Sequence, residues 1–332
     1  MAQLVNKGEK SGVRRFDFIK RIIEADPGTR NNEIQKWITR AKNFILGACL
    51  AFILAGVCYI ILSPLFGILS NSIMSLEDVF NPLVFLIPQN FTLDNLRNAF
   101  IHLDFVNTLI LTLGFAAGLS ALHVIVTSMV GYGFARFRFP GSNFLFALMI
   151  LTIIIPVQTY MVPMFLQFRF FRFFGLEANL VGTYWTLIIL TATGVGLRSG
   201  LYIYIFRQFF RGLPKEIEEA AFIDGASTFR TYATVMIPNA LPAILTVFLF
   251  AFVWHYNDTF YSSLLITGNR LMAVMLTALG NNFGSFADVR DPNAIQLVVF
   301  AGIVLAVTPI VTIYLILQRH FIEGIERSGI VG

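Results

Sequence analysis

Apolar residues gather in six long stretches, at about 44–69, 104–130, 143–166, 180–205, 239–264 and 294–318, and the segments between them hold most of the charge. A membrane crossing needs roughly 20 mostly apolar residues in helical form, and each stretch reaches that length without the strict alternation of a transmembrane strand. The pattern predicts an all-α membrane protein with six transmembrane helices. It divides the chain into a basic tail (1–43), a first span (44–69), an outer loop (70–103), a core of five spans (104–318) and a short C-terminal tail (319–332). Within the core, one long polar interruption, 206–238, separates the fourth and fifth spans.

Composition agrees. Of 332 residues, 56% are hydrophobic and 13% charged, against about 25% charged in an ordinary soluble domain. The tail holds ten Lys or Arg and no apolar run, so it reads as uncleaved and cytoplasmic rather than as a signal peptide. With that end inside, all six lysines fall on the inner side, whereas the outer segments carry only five arginines, Arg97, Arg169, Arg172, Arg270 and Arg290. The positive-inside rule then puts both termini and the 206–238 loop in the cytoplasm. The formal charge of +5 follows from topology and anionic lipid and calls for no nucleic acid. Cys49 and Cys58 both lie in the first apolar run and suggest neither a disulfide nor a metal site.

The loop carries the most information. Pro214 suits a helix start, and Glu216, Glu218 and Glu219 put negative charge in the opening turns, against the positive helix end. Ile217, Ala220, Ala221 and Asp224 recur at helical spacing, which gives one face small enough for close docking. Gly225 can close this helix in the left-handed conformation, and Ser227 or Thr228 can cap a second.

Glu219-Ala220-Ala221, three residues, Gly225, nine residues, then Val235-x-Ile237-Pro238 resembles the loop signature of importer-type ABC transporter permeases. Weaker likenesses flank it: Phe91 to Leu96 and Asn107 to Leu109, the run Gly131 to Gly141, the Trp254 to Phe260 segment, and Gln318, Phe321, Gly324 and Gly332. Together they resemble the carbohydrate branch, in particular the maltose-type second permease. The resemblance implies the type I ABC permease fold and a coupling helix (Glu218, Glu219, Ala220, Ala221, Asp224, Gly225, with Ile237 and Pro238 behind it) that docks on a cytoplasmic ATPase. The implied partners are a second homologous permease, two ATPase subunits, which would hold the ATP and Mg, and an extracytoplasmic solute-binding protein facing the 267–293 loop. The implied setting is a prokaryotic cell membrane. This chain itself has no phosphate-binding G-x-x-x-x-G-K-[ST] loop, metal-ligand cluster or catalytic set, so no bound cofactor and no enzymatic activity are expected.

Trp254, Tyr256, Asn257 and Asp258 are candidates for a sugar pathway, because ring faces and nearby amides or carboxylates suit a polyhydroxylated ligand; an interfacial aromatic belt is the competing account. Arg198 is the one strongly charged residue well within a span and should face protein or water, or reach to the interface. His123 reads as a packing residue. Pro156 and Pro163 should kink the third span, and Gly114/Gly118 and Gly196/Gly200 should permit close helix packing. A non-sugar solute, or a self-sufficient secondary transporter, remains as an alternative.

Overall fold

The computed structural model describes residues 27–266, 268 and 270–329; most of the basic tail, and Gly332 of the C-terminal motif, lie outside them. The chain divides at Gly67 into two units. The first is the helix α1, Pro27–Ser72, which runs without interruption from the end of the basic tail through the first apolar stretch, so the expected boundary at 43 is not a structural one. Cys49 and Cys58 on it are exposed and unpaired.

The second unit is nearly all helix: α2 (Leu76–Val79), α3 (Asp94–His102), α4 (Phe105–Arg136), α5 (Ser142–Ile154), α6 (Met161–Arg169), α7 (Trp185–Ala192), α8 (Ser199–Gly212), α9 (Lys215–Ile223), α10 (Thr228–Thr231), α11 (Ile237–Asn239), α12 (Leu241–Tyr256), α13 (Phe260–Leu265), α14 (Met272–Phe286) and α15 (Pro292–Gly329). A small antiparallel hairpin, β1 (Phe171–Phe173) with β2 (Leu176–Ala178), departs from the all-α expectation. Its turn is Phe174-Gly175 with both φ positive, the geometry that matches strand twist.

Among the described residues, three helices are long and apolar enough to cross a membrane, Ile38–Ser72, Phe105–Arg136 and Pro292–Ile316, and the bent pair Thr228–Asn239 with Leu241–Tyr256 makes a fourth. The other expected spans are interrupted. Pro156, which lacks an N–H, ends α5 and opens a single 3₁₀ turn, while Pro163 sits in the first turn of α6, where no donor is needed. The fourth run breaks at 193–198, where Gly194 and Arg198 take positive φ. The fifth breaks after Tyr256, at 257–259. The segment 267–293, read as a loop with an apolar centre, instead folds as α14, whose Leu279 and Phe283 pack with Ala99, Leu103, Val298 and Ala301 from α3 and α15.

Helix α4 is the spine of the second unit, with α8 and α12 packed along it. Tyr132, Tyr202, Phe206, Val247 and Ala251 form the core on its inner half. Close approach there depends on Gly131, where an added Cβ would lie 2.6 Å from Phe206 Cβ and 3.0 Å from the Arg207 amide nitrogen. Gly196 and Gly200 are equally confined, against His123 and Thr152, as their spacing predicted. Gly114 and Gly118 are not: nothing approaches them within 4 Å, and they line an open apolar depression with Ile110, Leu111, Leu122 and Ile188.

Gly131→Ala should therefore lower thermal stability. Overpacking costs about 1–3 kcal/mol and works against backbone that cannot move aside, so the helix-propensity gain of roughly 1 kcal/mol does not offset it. Gly133→Ala, with only Phe137 Cδ2 near, at 3.9 Å, should raise stability. Melting curves of the two purified variants against wild type check both signs.

In the outer loop the Asp78 carboxylate is buried and accepts hydrogen bonds from Gln89 N (2.8 Å), Asn90 N (2.7 Å) and Asn90 Nδ2 (2.8 Å), closing 78–90 over Ser75, which caps α2. The Asn90 amide, opposed by burial, holds this carboxyl below its ordinary value of 3.8. A lowered value means that the bonded carboxylate contributes stability above that pH and loses it as pH falls through the folded value. Proteolysis within 78–92 should accelerate only below about pH 4, the unperturbed aspartate range, and Asp78→Asn should accelerate it at neutral pH.

Candidate functional site: the loop helix and the mid-span breaks

Helix α9 begins one residue later than expected, with Pro214 as its N-cap in extended conformation. It ends in a Schellman motif: Gly225 at φ +80° donates to Phe222 O (3.0 Å) and Ala226 donates to Ala221 O (2.9 Å). Ser227 Oγ then accepts from Arg230 N and starts α10. The chain continues through one π turn, Tyr232–Met236, in which Ile237 N bonds Tyr232 O. Pro238 explains the turn, since its ring would crowd the carbonyl four residues back. Asn239 Nδ2 satisfies Val235 O at 2.7 Å. Pro242 then opens α12, and the two segments meet at 79°.

The loop helix is fastened on one side. Glu218 is 7% exposed; it accepts a hydrogen bond from the Tyr132 hydroxyl and pairs with Arg136, whose Nε lies 3.0 Å from Oε2. Arg136 also donates from an Nη to Leu213 O at 2.9 Å. Two residues one turn apart at the inner end of α4 thus hold α9 at its entry and at its centre. Tyr132 further packs against Phe137, Phe210 and Tyr232, and Ser128 bonds the Tyr232 hydroxyl at 2.7 Å. Beside this clamp lies an open cavity of about 960 Å³ rimmed by Arg138, Arg207, Arg211 and Lys215.

The opposite side has no cover among the described residues. Ile217, Glu219, Ala220, Phe222, Ile223 and Asp224 are exposed, Ile223 at 86%. The two glutamates that sequence grouped together are thereby separated: Glu218 is internal and Glu219 is presented outward. Tyr132 and Arg136 as its partners were not foreseen. The run Gly131 to Gly141 was visible, but it carried only a family likeness and no pairing with the loop.

The three breaks meet at a second place. Tyr160, in the first, lies 3.1 Å hydroxyl to hydroxyl from Tyr261, just past the third. Arg198, closing the second, stacks its guanidinium 4.3 Å from the Trp254 ring centroid, just before the third. Beside them His123 Nδ1 is 2.9 Å from His255 Nε2 and His123 Nε2 is 2.9 Å from Ser199 Oγ, a buried chain joining α4, α8 and α12. His123 is a packing residue, as read from sequence. Of the four pathway candidates, Tyr256 and Asp258 are committed internally. The Tyr256 hydroxyl donates to Ala306 O (2.7 Å), and the Asp258 carboxylate caps α13 by accepting from Tyr261 N, Ser262 N and Ser262 Oγ. Trp254 and Asn257 are exposed, with Asn257 Nδ2 bonded to Val253 O.

Fold and site together define a multi-pass α-helical membrane subunit with a polar helix clamped to the C-terminal end of α4. Comparison with known proteins narrows this. The family model "Binding-protein-dependent transport system inner membrane component" matches residues 123–327. A probable ABC transporter permease protein of Pyrococcus horikoshii is 30% identical over 81% of this chain and 91% of its own length. The arabinooligosaccharides transport system permease protein of Halalkalibacterium halodurans is 27% identical over 88% of this chain and 99% of its own. A bacterial ABC transporter involved in import of the acidic polysaccharide alginate shares the fold, with TM-score 0.66 at 22% identity, covering 84% of this chain and 98% of that one.

The chain belongs to the binding-protein-dependent transport system inner membrane component family. It is a permease subunit of an ABC importer, a transport component and not an ATPase.

Removing the clamp should free the loop helix. Glu218→Ala leaves Arg136 buried without its anion, a loss on the order of 3 kcal/mol, and amide exchange over 215–223 should accelerate about 100-fold by local opening. Glu219→Ala should leave that exchange unchanged. Exchange measured by mass spectrometry on the two variants separates the roles.

Proposed function

We propose that this chain is one of two homologous permeases in an importer for a saccharide, driven by two ATPase subunits and fed by an extracytoplasmic binding protein. The uncovered face of α9, held rigidly from behind by Glu218, carries this reading. Ile217, Ala220, Phe222 and Ile223 give it apolar surface and small residues, with Glu219 and Asp224 at its margin. Such a face suits docking into a cleft of a soluble partner. Basic residues around it, Arg138, Arg207, Arg211 and Lys215, support a cytoplasmic position and cytoplasmic termini. The ATP and Mg belong to the partner subunits.

In this scheme ATP-driven closure of the ATPases pushes α9, and the push passes to α4 through a contact that cannot slide. A buried ion pair with a shared tyrosine hydroxyl has one geometry, so displacement of the loop helix becomes displacement of the spine. The outer end carries the binding-protein contact, for which Phe286, Asp288 and Arg290 at the exposed end of α14 are the proposed residues. The saccharide assignment rests on the arabinooligosaccharide relative and on the aromatic character of the mid-span site, where ring faces serve sugar rings.

Affinity purification from the native membrane should bring down an ATPase and a second permease. Glu219→Lys, reversing charge on the docking face without touching the clamp, should abolish binding-protein-stimulated ATP hydrolysis at least 10-fold, the factor for roughly 1.4 kcal/mol of lost coupling, while leaving the chain folded. Recovery of the chain alone, with hydrolysis unaffected, would overturn the proposal.

A further inference from the structure

Helix lengths put Arg198 near the middle of a membrane crossing. Helix α8 has 14 residues and descends from Ser199 to the basic inner rim, about 21 Å at 1.5 Å per residue. His123, bonded to Ser199, lies near the centre of the 32-residue α4. Both measures put Arg198 deep within a hydrocarbon layer of about 30 Å.

A guanidinium there is not lipid-facing at rest, and irregular backbone at that depth is tolerated only where it is covered by protein or lines water. Arg198 closes one length of irregular backbone and stacks on Trp254 just before another, the break after Tyr256, which the Pro156 to Tyr160 break adjoins through Tyr160 and Tyr261. It is exposed, and it makes no ion pair among the described residues. Asp258, four residues past the Trp254 that stacks on Arg198, is consumed by the amides of α13. The Tyr202 hydroxyl, one turn along α8 from Arg198, is buried without a hydrogen-bond partner. Its conformation adds constraint. Arg198 is held at φ +61°, a region an arginine adopts only when its surroundings impose it, and the Trp254 ring 4.3 Å away fixes the plane of the fork.

A neutral sugar would be served by the indole face and amides alone. A permanently charged, planar donor, pre-oriented by an aromatic ring and lacking an anion, is matched to a carboxylate that accepts two parallel N–H bonds. We propose that Arg198, positioned by Trp254, is a solute-binding residue of the translocation pathway and that the transported saccharide carries carboxylate groups, as a uronic-acid oligosaccharide does. This deepens the importer reading and rests on it.

The test uses the complete importer, with its binding protein, in proteoliposomes, and compares uptake of radiolabelled trigalacturonate with that of its methyl ester, which keeps the shape and removes the charge. Wild type should take up the acid in preference to the ester. Arg198→Gln should raise KM for the acid about 10- to 100-fold, the range for a lost hydrogen bond to a charged group, and leave ester uptake unchanged. Arg198→Lys should restore part of the acid uptake. Equal use of acid and ester by wild type, uptake of neither, or an acid preference that survives Arg198→Gln would overturn the inference; the first of these is also what an acidic side chain from the second permease paired with Arg198 would produce. Co-purification of an ATPase and a second permease with this chain, and ATP hydrolysis stimulated by the binding protein, report on the importer reading separately, so failure of one is distinguishable from failure of the other.

Discussion

The buried pair of Glu218 and Arg136, with the Tyr132 hydroxyl on the same carboxylate, is the constraint on which the inner half of this structure depends. Two charges taken out of water repay their desolvation only with good geometry and further hydrogen bonds. Arg136 has such a bond, to Leu213 O, and Glu218 has one from Tyr132. The cluster therefore tolerates little displacement of its parts. Tyr132 and Arg136 occupy one helix face a turn apart, so a nine-residue helix that would be unstable alone is held at two points to a 32-residue one. Because all its holding contacts lie behind, the outward face is left free of structural duty.

A second constraint operates at the membrane centre, where a broken helix exposes amides and carbonyls that lipid cannot satisfy. The chain meets it locally. Asp258 takes the amides of α13, the Asn257 side chain takes a freed carbonyl, and the positive φ at Gly194 lets the end of α7 close on itself through Thr191 O and Leu190 O. Such internal commitments explain why Tyr256 and Asp258, suited by type to a sugar, are unavailable to one.

How far the sequence could be read follows from the range of each interaction. The loop helix, its Gly225 closure and the Ser227 cap were legible because capping is local and its residues are adjacent. The kink at Pro156 was legible for the same reason. The breaks at 193–198 and 257–259 were not, since hydropathy averages over a break as readily as over a helix, and α14 looked like a loop because its apolar positions meet α3, remote in sequence, as well as the following α15. The glycine pairs show the limit most plainly: Gly114/Gly118 and Gly196/Gly200 have identical spacing, yet only the second is packed. Spacing states that approach is permitted, and the partner that uses it is a tertiary fact.

The same reasoning joins the two sites. Helix α4 carries Tyr132 and Arg136 at one end and His123 near its middle, and His123 is bonded at once to Ser199 on α8 and His255 on α12. Gly196 leaves no room for a side chain beside His123, so the imidazole cannot shift without moving the start of α8, and with it Arg198. In the proposed scheme a motion imposed on α9 would pass to α4 through the clamp and along a continuous helix to His123, because packed interiors are stiff. There it would bear on the residues either side of the Arg198 and Trp254 stack. The helix breaks would then be the compliant elements and the α4 spine the rigid one, so that a push at the loop would act on the mid-span site before the core around Phe206 and Val247.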